Sequence, residues 1–432
     1  MRKQRTYTIS DPDTIKQSLL HWIRDYEKIV WLDDNDHRND YHSYDAVLAV
    51  SRQTDDLKDI NSLQGLKNIV RDDRDWLFGY FSYDLKNELE DLYSHNFDGL
   101  GFQTLQFFQP EKIILLNGKE LTFLYLEHCD EDIESDYEQL LSNRGVLQEK
   151  RIASTPIRIK MRIHKDAYFE KANRFLGHIH RGDIYEANFC QEFYAEDSII
   201  DPWETYKRLN TISRPPFASF MRLNERYLLC ASPERYLKKT GQTVISQPIK
   251  GTAPRSRDKK EDEKLKQRLT QDEKERAENI MITDLVRNDL SKSALKGSVF
   301  VEELCKVYPY KQVHQMISTV VATMPKDKNP VELIEETFPM GSMTGAPKIS
   351  AMKIIEELEE TKRGLYSGAV GYFDPKGDFD FNVVIRSILY NATNNYVSYS
   401  VGSAITAKSD PEKEYQECLL KAKAMRNVLE AS

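Results

Sequence analysis

The sequence predicts an α+β protein with large antiparallel β-sheets rather than a doubly wound parallel sheet. Three observations lead there. Runs of β-branched and aromatic residues come in neighbouring pairs split by turn residues, as in "KIILLNGKELTFLYLEH", where Asn117, Gly118 and Lys119 form a hairpin signal. From about residue 160 such runs are interleaved with long amphipathic helices, without regular βαβ alternation and without a GxGxxG turn. No period of 20 to 50 residues runs through the chain, which argues against a solenoid.

In chain order, residues 1 to about 125 read as short strands joined by turns, among them "DWLFGYFSYDL". "CDEDIESDYEQLLSNRG" is acidic and then helical, and "KRIASTPIRIKMRIHKDAY" reads as a linker. The expected division is a variable N-terminal subdomain over 1–150 and a second domain over 155–432. Strands are expected at 216–239, 242–250, 365–373, 379–391 and 396–401. Two helices open on apparent capping boxes: Thr270 with Glu273, and Ser409 with Glu412, the latter with Pro411 in the first turn.

Composition narrows the function classes. The 432 residues are enough for a sizeable core, with 40% hydrophobic and 30% charged residues. Net charge is −8 and no basic block stands out, so nucleic acid is not an expected partner. No apolar run reaches the roughly 20 residues of a membrane span, and "MRKQRTYTIS" has no apolar h-region, so neither membrane insertion nor secretion is expected. The five cysteines are scattered, without CxxC pairing; a reduced, cytoplasmic enzyme is expected.

Several residues are candidates for chemistry. Glu275 and Glu278 share one helix face, and Glu414 and Glu417 share another. Each pair alone reads as a solvated face. If they converge, four carboxylates make a hard-oxygen site of the kind Mg²⁺ takes. "FPMGSMTGAPKISAM" departs from a phosphate loop, because Ala346 stands five residues after Gly341. It is either an anion-binding turn or a plain helix entry. His314 lies in an apolar run and reads as a core histidine or a catalyst. Arg386, inside an apparent strand, needs an anionic partner, either a structural carboxylate or a substrate one. Glu234 follows Pro233 at a strand-to-turn junction. Lys250, in "VISQPIKGTAPR", reads as a strand-end amine or a nucleophile.

The segments "GDIYEANFCQEF", "ASPERYL", "QPIKGTAPR", "AENIMITDLVRNDL", "VHQMISTV", "GSMTGAPKISAM", "SGAVGYF", "VVIRSI" and "EYQECLLKAKAM" occur in the order found in the chorismate-utilising enzymes. The chain from about 160 to 428 closely resembles that family, which includes component I of anthranilate and aminodeoxychorismate synthases and the isochorismate and salicylate synthases. The resemblance implies a sandwich-like core of antiparallel sheets surrounded by helices. The PIKGT form, with Lys250, is that of the aminodeoxychorismate branch; anthranilate synthases carry alanine there. By resemblance, Lys250 adds to C2 of chorismate as the C4 hydroxyl leaves, and ammonia then adds at C4 and expels the lysine. Burial among apolar neighbours is expected to lower the lysine pKa so that the amine is neutral. Glu234 corresponds to the family's general acid and should be protonated at neutral pH. His314 corresponds to a histidine near the leaving hydroxyl. Glu275, Glu278, Glu414 and Glu417 correspond to Mg²⁺ ligands. Thr344, Tyr372, Arg386, Gly402 and Ser403 correspond to groups that hold the substrate carboxylates.

The resemblance has departures. Glu186 stands where related synthases carry glutamine and where the water-adding enzymes carry a lysine base, which weighs against isochorismate chemistry. Gly402, Ser403 and Ala404 replace a glycine triplet. "VWLDDNDHRND" resembles only loosely the tryptophan-pocket segment of some relatives, so bound tryptophan is not expected. Nothing resembles a glutamine amidotransferase, so ammonia is expected from a separate amidotransferase subunit or from solution, and the product would feed 4-aminobenzoate and folate synthesis. The rival readings are anthranilate formation, which Lys250 opposes, and a silent chorismate-binding subunit, which retention of Lys250, Glu234 and the four glutamates opposes.

Overall fold

The computed structural model describes residues 2–37, 40–52, 59–142, 157–310 and 313–430. Alternating apolar residues build two antiparallel sheets, of twelve and ten strands among the described residues. The Lys28–Asp33 strand shows how each face is set. Ile29 and Trp31 point out to covering helices, while Val30 points in to the second sheet, as the period of two requires. The inter-sheet layer contains Phe78, Phe81, Phe107, Met221, Leu228 and Phe381. On the outer face of the first sheet, helices Pro12–Trp22, Lys165–Arg181, Pro202–Ser213 and Pro411–Glu430 bury residues such as Leu19, Phe175, Tyr206 and Met425. Full burial of each such side chain contributes about 1.5–3 kcal/mol. This is the expected α+β sandwich surrounded by helices.

The expected junction at 150–155 falls outside the described residues, but strands from both sides of it share both sheets. Lys28–Asp33 pairs with Phe217–Leu223 in the first sheet, and Leu77–Phe81 pairs with Ala369–Phe373 in the second. Of the proposed linker, Lys160–Met161 is already a short strand against the Glu186–Ala195 strand, and Lys165–Arg181 is helical. The Asn117 hairpin forms as expected, with Gly118 at φ 61° and Asn117 opposite Glu120.

All five expected strands differ. The 216–239 run divides into Phe217–Leu223, Arg226–Ser232 and Arg235–Thr240, and the 365–373 run becomes a strand only at Ala369. The 242–250 run divides into Thr243–Gln247 and Ile249–Pro254, because Pro248 has no N–H to offer the ladder. The 379–391 run divides into Phe379–Asn382 in the second sheet and Ser387–Asn391 in the first. The last strand continues past 401 to Thr406. Both helix starts also shift. Asp272, not Thr270, caps Glu273–Ser291 by accepting from Glu275 N, and the Thr270 hydroxyl instead donates to Lys266 O. Asp410, not Ser409, accepts from Lys413 N at the start of Pro411–Glu430. A carboxylate beside a helix N-terminus has both geometry and charge in its favour, and it wins over the hydroxyl.

Candidate active site

Lys250 sits at an irregularity that its own sequence creates. Between Ile249 opposite Ile317 and Thr252 opposite Gln315, the strand carries one extra residue. This β-bulge re-aims the lysine. Gly251 makes it possible: its φ is +92°, and a Cβ there would lie 3.2 Å from Glu275 Cβ. The lysine reaches from the second sheet to Glu186, the first residue of a first-sheet strand, with Nζ 3.2 Å from Glu186 Oε1. Glu186 is 1% exposed, and its Oε2 is buried without a hydrogen-bond partner. Its backbone is fixed on both sides, opposite Thr406 and Ala346.

The lysine pKa is shifted upward, opposite to the expected lowering. Burial works against its charge, but Glu186, Glu278 and Glu234 outweigh burial and hold the ammonium above its ordinary value. Its surroundings are acidic rather than apolar.

Glu234 and Arg386 occupy adjacent corners where the chain passes from one sheet to the other. Glu234 follows Arg226–Ser232 of the first sheet and precedes Arg235–Thr240 of the second. Arg386 lies in the 383–386 break with φ +53°, so it stands at a corner rather than inside a strand. The corners are laced together: Val383 N donates to Glu234 O at 3.0 Å and Ala231 N to Arg386 O at 3.2 Å. Burial pushes the Glu234 carboxyl up to about 7, with the Lys250 charge pulling against it. The upward shift favours the protonated form that a general acid needs. The Arg386 side chain has no hydrogen bond or ion pair within the described residues. Burial lowers its pKa, and Tyr366 and the Glu417 carboxylate nearby act in the opposite direction. A half-buried guanidinium in that state is suited to an incoming carboxylate.

The two Glu-x-x-Glu faces meet. Helix Glu273–Ser291 packs on the second-sheet strands Ile249–Pro254 and Val313–Thr323, and Pro411–Glu430 packs on the Tyr396–Thr406 strand of the first sheet. Lys274 spans them, 3.3 Å from Glu414 and 3.7 Å from Glu278. Burial raises Glu275, with the nearby Glu417 charge adding to the shift, and burial carries Glu278 up to about 7. Against its own burial, Glu417 is held low by Lys421, 2.7 Å away. Glu278 Oε1 is buried without a hydrogen-bond partner. Four carboxylates with an unsatisfied oxygen have the donor chemistry of a hard divalent cation such as Mg²⁺. Here Lys274 occupies the space between the helices, and the four are not at ligand spacing. Among the described residues, the group within 4.8 Å is Asp34, His42 and Asp45, where the imidazole lies 3.2 Å from Asp34 and 3.0 Å from Asp45. That is the geometry of a histidine held between two acids.

Other expected residues are placed differently. Ser403 is buried and its hydroxyl donates to Glu414, so it positions a carboxylate of the helix pair. Gly402 serves close approach: a Cβ there would lie 2.6 Å from Cys190 Sγ, and its carbonyl accepts from Lys421 at 2.9 Å. Thr344 is buried in the turn 341–345, where its hydroxyl faces the Met340 and Gly341 carbonyls at 3.3 Å and its own carbonyl accepts from Asn188 N. Gly341 and Gly345 allow close packing on Leu285 and on the Glu186 carbonyl, so the glycines of this turn are explained without an anion. His314 Nε2 lies 3.0 Å from Asp262, whose carboxyl Arg255 holds well below the usual range. It stands opposite Ala253, with no hydrogen bond or ion pair to Lys250 or Glu234.

Tyr372 is not part of this cluster. Its ring packs 5.3 Å from Trp76 and 5.6 Å from Phe78, and it lines a cavity of about 80 Å³ with Tyr44, Arg235 and Asp380. Tyr366, six residues earlier in the same "LYSGAVGYF" segment, is the tyrosine beside Arg386 and Cys190. Sequence reading also missed Arg363. Buried, it pairs with Glu359 at 2.7 Å and donates to the Met343 and Asn188 carbonyls, tying the 341–345 turn to the strand that begins at Glu186. Its i,i+4 spacing from Glu359 was the available signal. Among the described residues no helix is long and apolar enough to cross a membrane.

Known proteins share this fold. The fold matches anthranilate synthase component I from Streptococcus pneumoniae with a TM-score of 0.74 at 23% identity, covering 98% of this chain and 92% of that one. It also matches the menaquinone-specific isochorismate synthase of Escherichia coli, with a TM-score of 0.75 at 17% identity over 99% and 95%. A Synechocystis protein named anthranilate synthase component I-like is 36% identical over 82% of this chain and 72% of its own length. Aminodeoxychorismate synthase component 1 of Escherichia coli is 40% identical over 62% of this chain and 58% of its own length. Residues 14–427 match the chorismate binding enzyme family. With its two sheets, its acidic helix pair and a match over nearly its whole length, this chain belongs to the chorismate binding enzymes.

Proposed function

We propose that the chain aminates chorismate at C4, giving 4-amino-4-deoxychorismate through a covalent adduct of Lys250 at C2. The observation that carries this reading is the bulge at Lys250 and Gly251, which points an amine between the two sheets at three buried acids. Relatives named for either amination, at 34–42% identity, do not decide between them; the lysine favours C4, because an amine bonded at C2 keeps ammonia from that carbon.

Arg386 offers an unpaired guanidinium to a substrate carboxylate and, with Tyr366 beside it, orients the ring. Lys250 loses a proton and attacks C2, both conjugated ring double bonds shift, and the C4 hydroxyl departs as water with the proton of Glu234. Ammonia adds at C4, both double bonds return, and the C2–N bond breaks to release the lysine amine. Glu275, Glu278, Glu414 and Glu417 are the residues that would hold Mg²⁺, positioned in part by Ser403 and Lys274. When bound, the cation supplies positive charge for a second substrate carboxylate. Ammonia comes from a separate glutamine amidotransferase subunit, a reading supported by the "component 1" names of relatives.

The test is intact-protein mass spectrometry after incubation with chorismate and Mg²⁺ without ammonia. The expected result is a mass gain of chorismate less water, mapped to the peptide holding Lys250 and absent from Lys250→Ala. An unmodified wild-type protein that turns over chorismate once ammonium is added would show that the lysine is not the nucleophile.

A further inference from the structure

The Lys250 ammonium has no lone pair with which to attack, so catalysis needs a group that takes its proton. The charged groups facing it from every packed element are Glu186 on the first-sheet strand, Glu234 at the corner, Glu278 and Glu275 on one helix, and Glu417 on the other. Only Glu186 is within hydrogen-bond distance, at 3.2 Å. Glu234 must carry a proton to release the hydroxyl and cannot accept another. The glutamates of the helix pair act on the lysine through space, without a hydrogen bond to it.

We infer that Glu186 is the proton acceptor for Lys250, a positioning and proton-holding residue that converts the resting ammonium into the attacking amine. This rests on the proposed amination reading. The first-sheet strand fixes the Glu186 backbone on both sides, and the re-aimed bulge brings Lys250 to it. The unpartnered Oε2 leaves this carboxylate with capacity that no structural hydrogen bond uses.

The protons balance. Lys250 Nζ gives one proton to Glu186 Oε1, and its lone pair forms the bond to C2. Glu234 gives its proton to the departing C4 hydroxyl, which leaves as water. The secondary ammonium of the adduct breaks from C2 as a neutral amine when ammonia bonds to C4. Lys250 then recovers its proton from Glu186, and Glu234 is reprotonated from ammonium, the form in which ammonia mostly arrives. The sum is chorismate plus ammonium giving the aminated product, as its ammonium form, plus water.

The test is single-turnover adduct formation, without ammonia, across pH for wild type, Glu186→Gln and Glu186→Asp, with chorismate affinity measured in parallel. Glutamine can still accept the lysine hydrogen bond but cannot hold its proton. Adduct formation by Glu186→Gln should fall about tenfold or more at pH 7. Its pH optimum should move upward, because the lysine must lose its proton to solvent, while chorismate affinity stays unchanged. Glu186→Asp, still a base but with shorter reach, should be slowed with its optimum in place. An adduct rate and pH profile for Glu186→Gln equal to wild type would overturn the inference and leave the amination reading standing. A wild type that forms no adduct while making product would overturn both. Should Glu186→Gln fail to fold, wild-type rates in Glu186→Asp overturn the inference and slowed rates support it.

Discussion

Glu234 shows most clearly how single residues set both reactivity and stability here. Burial raises its carboxyl from 4.5 to about 7, so it is mostly protonated below that pH and loses its proton above. Adduct formation should therefore fall as pH rises through about 7, and Glu234→Gln should lower it by roughly 10²–10⁴-fold at neutral pH. Stability follows the same sign. The group contributes most below its unfolded pKa, and that contribution is lost as pH rises toward 7 and beyond. Urea unfolding should show Glu234→Gln to be more stable than wild type at pH 8, by roughly 2–3 kcal/mol, with no gain at pH 4. Equal stabilities at pH 8 would contradict the assigned burial. Residue identity was legible in the sequence for Lys250, Glu234, Arg386 and the glutamates, because their types and order are distinctive. Their surroundings were not. Nothing in "QPIKGTAPR" says that acids from four distant segments converge on the lysine, and the expectation of a neutral amine failed for that reason. The sequence alone does not say which tyrosine of this segment lies beside Arg386, because only the turn before Ala369–Phe373 separates Tyr366 from Tyr372.

At the scale of elements, the site depends on close approaches between strands and helices. Gly251→Ala would force a side chain into a left-handed conformation against Glu275 and flatten the bulge. It should destabilise the protein by about 1–3 kcal/mol and reduce adduct formation far more than chorismate binding, as read by thermal unfolding and single-turnover kinetics. Ser403→Ala removes the hydroxyl that holds Glu414. Mg²⁺ affinity, followed by calorimetry, should weaken about 10–100-fold with little change in melting temperature. An unchanged affinity would separate Glu414 from the cation site. Helix existence and the i,i+3 acid pairs were readable from periodicity. The caps slipped, because Asp272, two residues after Thr270, and Asp410, directly after Ser409, accept better from the helix-start N–H groups. The broken strands slipped, because a chain that changes sheets at Glu234 or Arg386 has no period that announces a corner.

At the scale of the whole molecule, the first five strands of the large sheet and three strands of the second come from residues before 142. A fragment spanning 157–430 would expose the unpaired edges of Phe217–Leu223 and Ala369–Phe373, and should lack the near-ultraviolet circular dichroism of the full chain. A fragment that folds and binds chorismate would support the division expected from sequence. The sandwich itself was legible from hairpin signals and the absence of βαβ alternation. The sharing of both sheets was not, because pairing between residues nearly 200 or 300 positions apart leaves no local mark. The most direct test of the central claim is product identity. Purified protein is incubated with chorismate, Mg²⁺ and ammonium at mildly alkaline pH, and products are separated by mass for wild type and Lys250→Ala. Aminodeoxychorismate from the wild type, lost in the variant, is the predicted result; anthranilate from the wild type would contradict it.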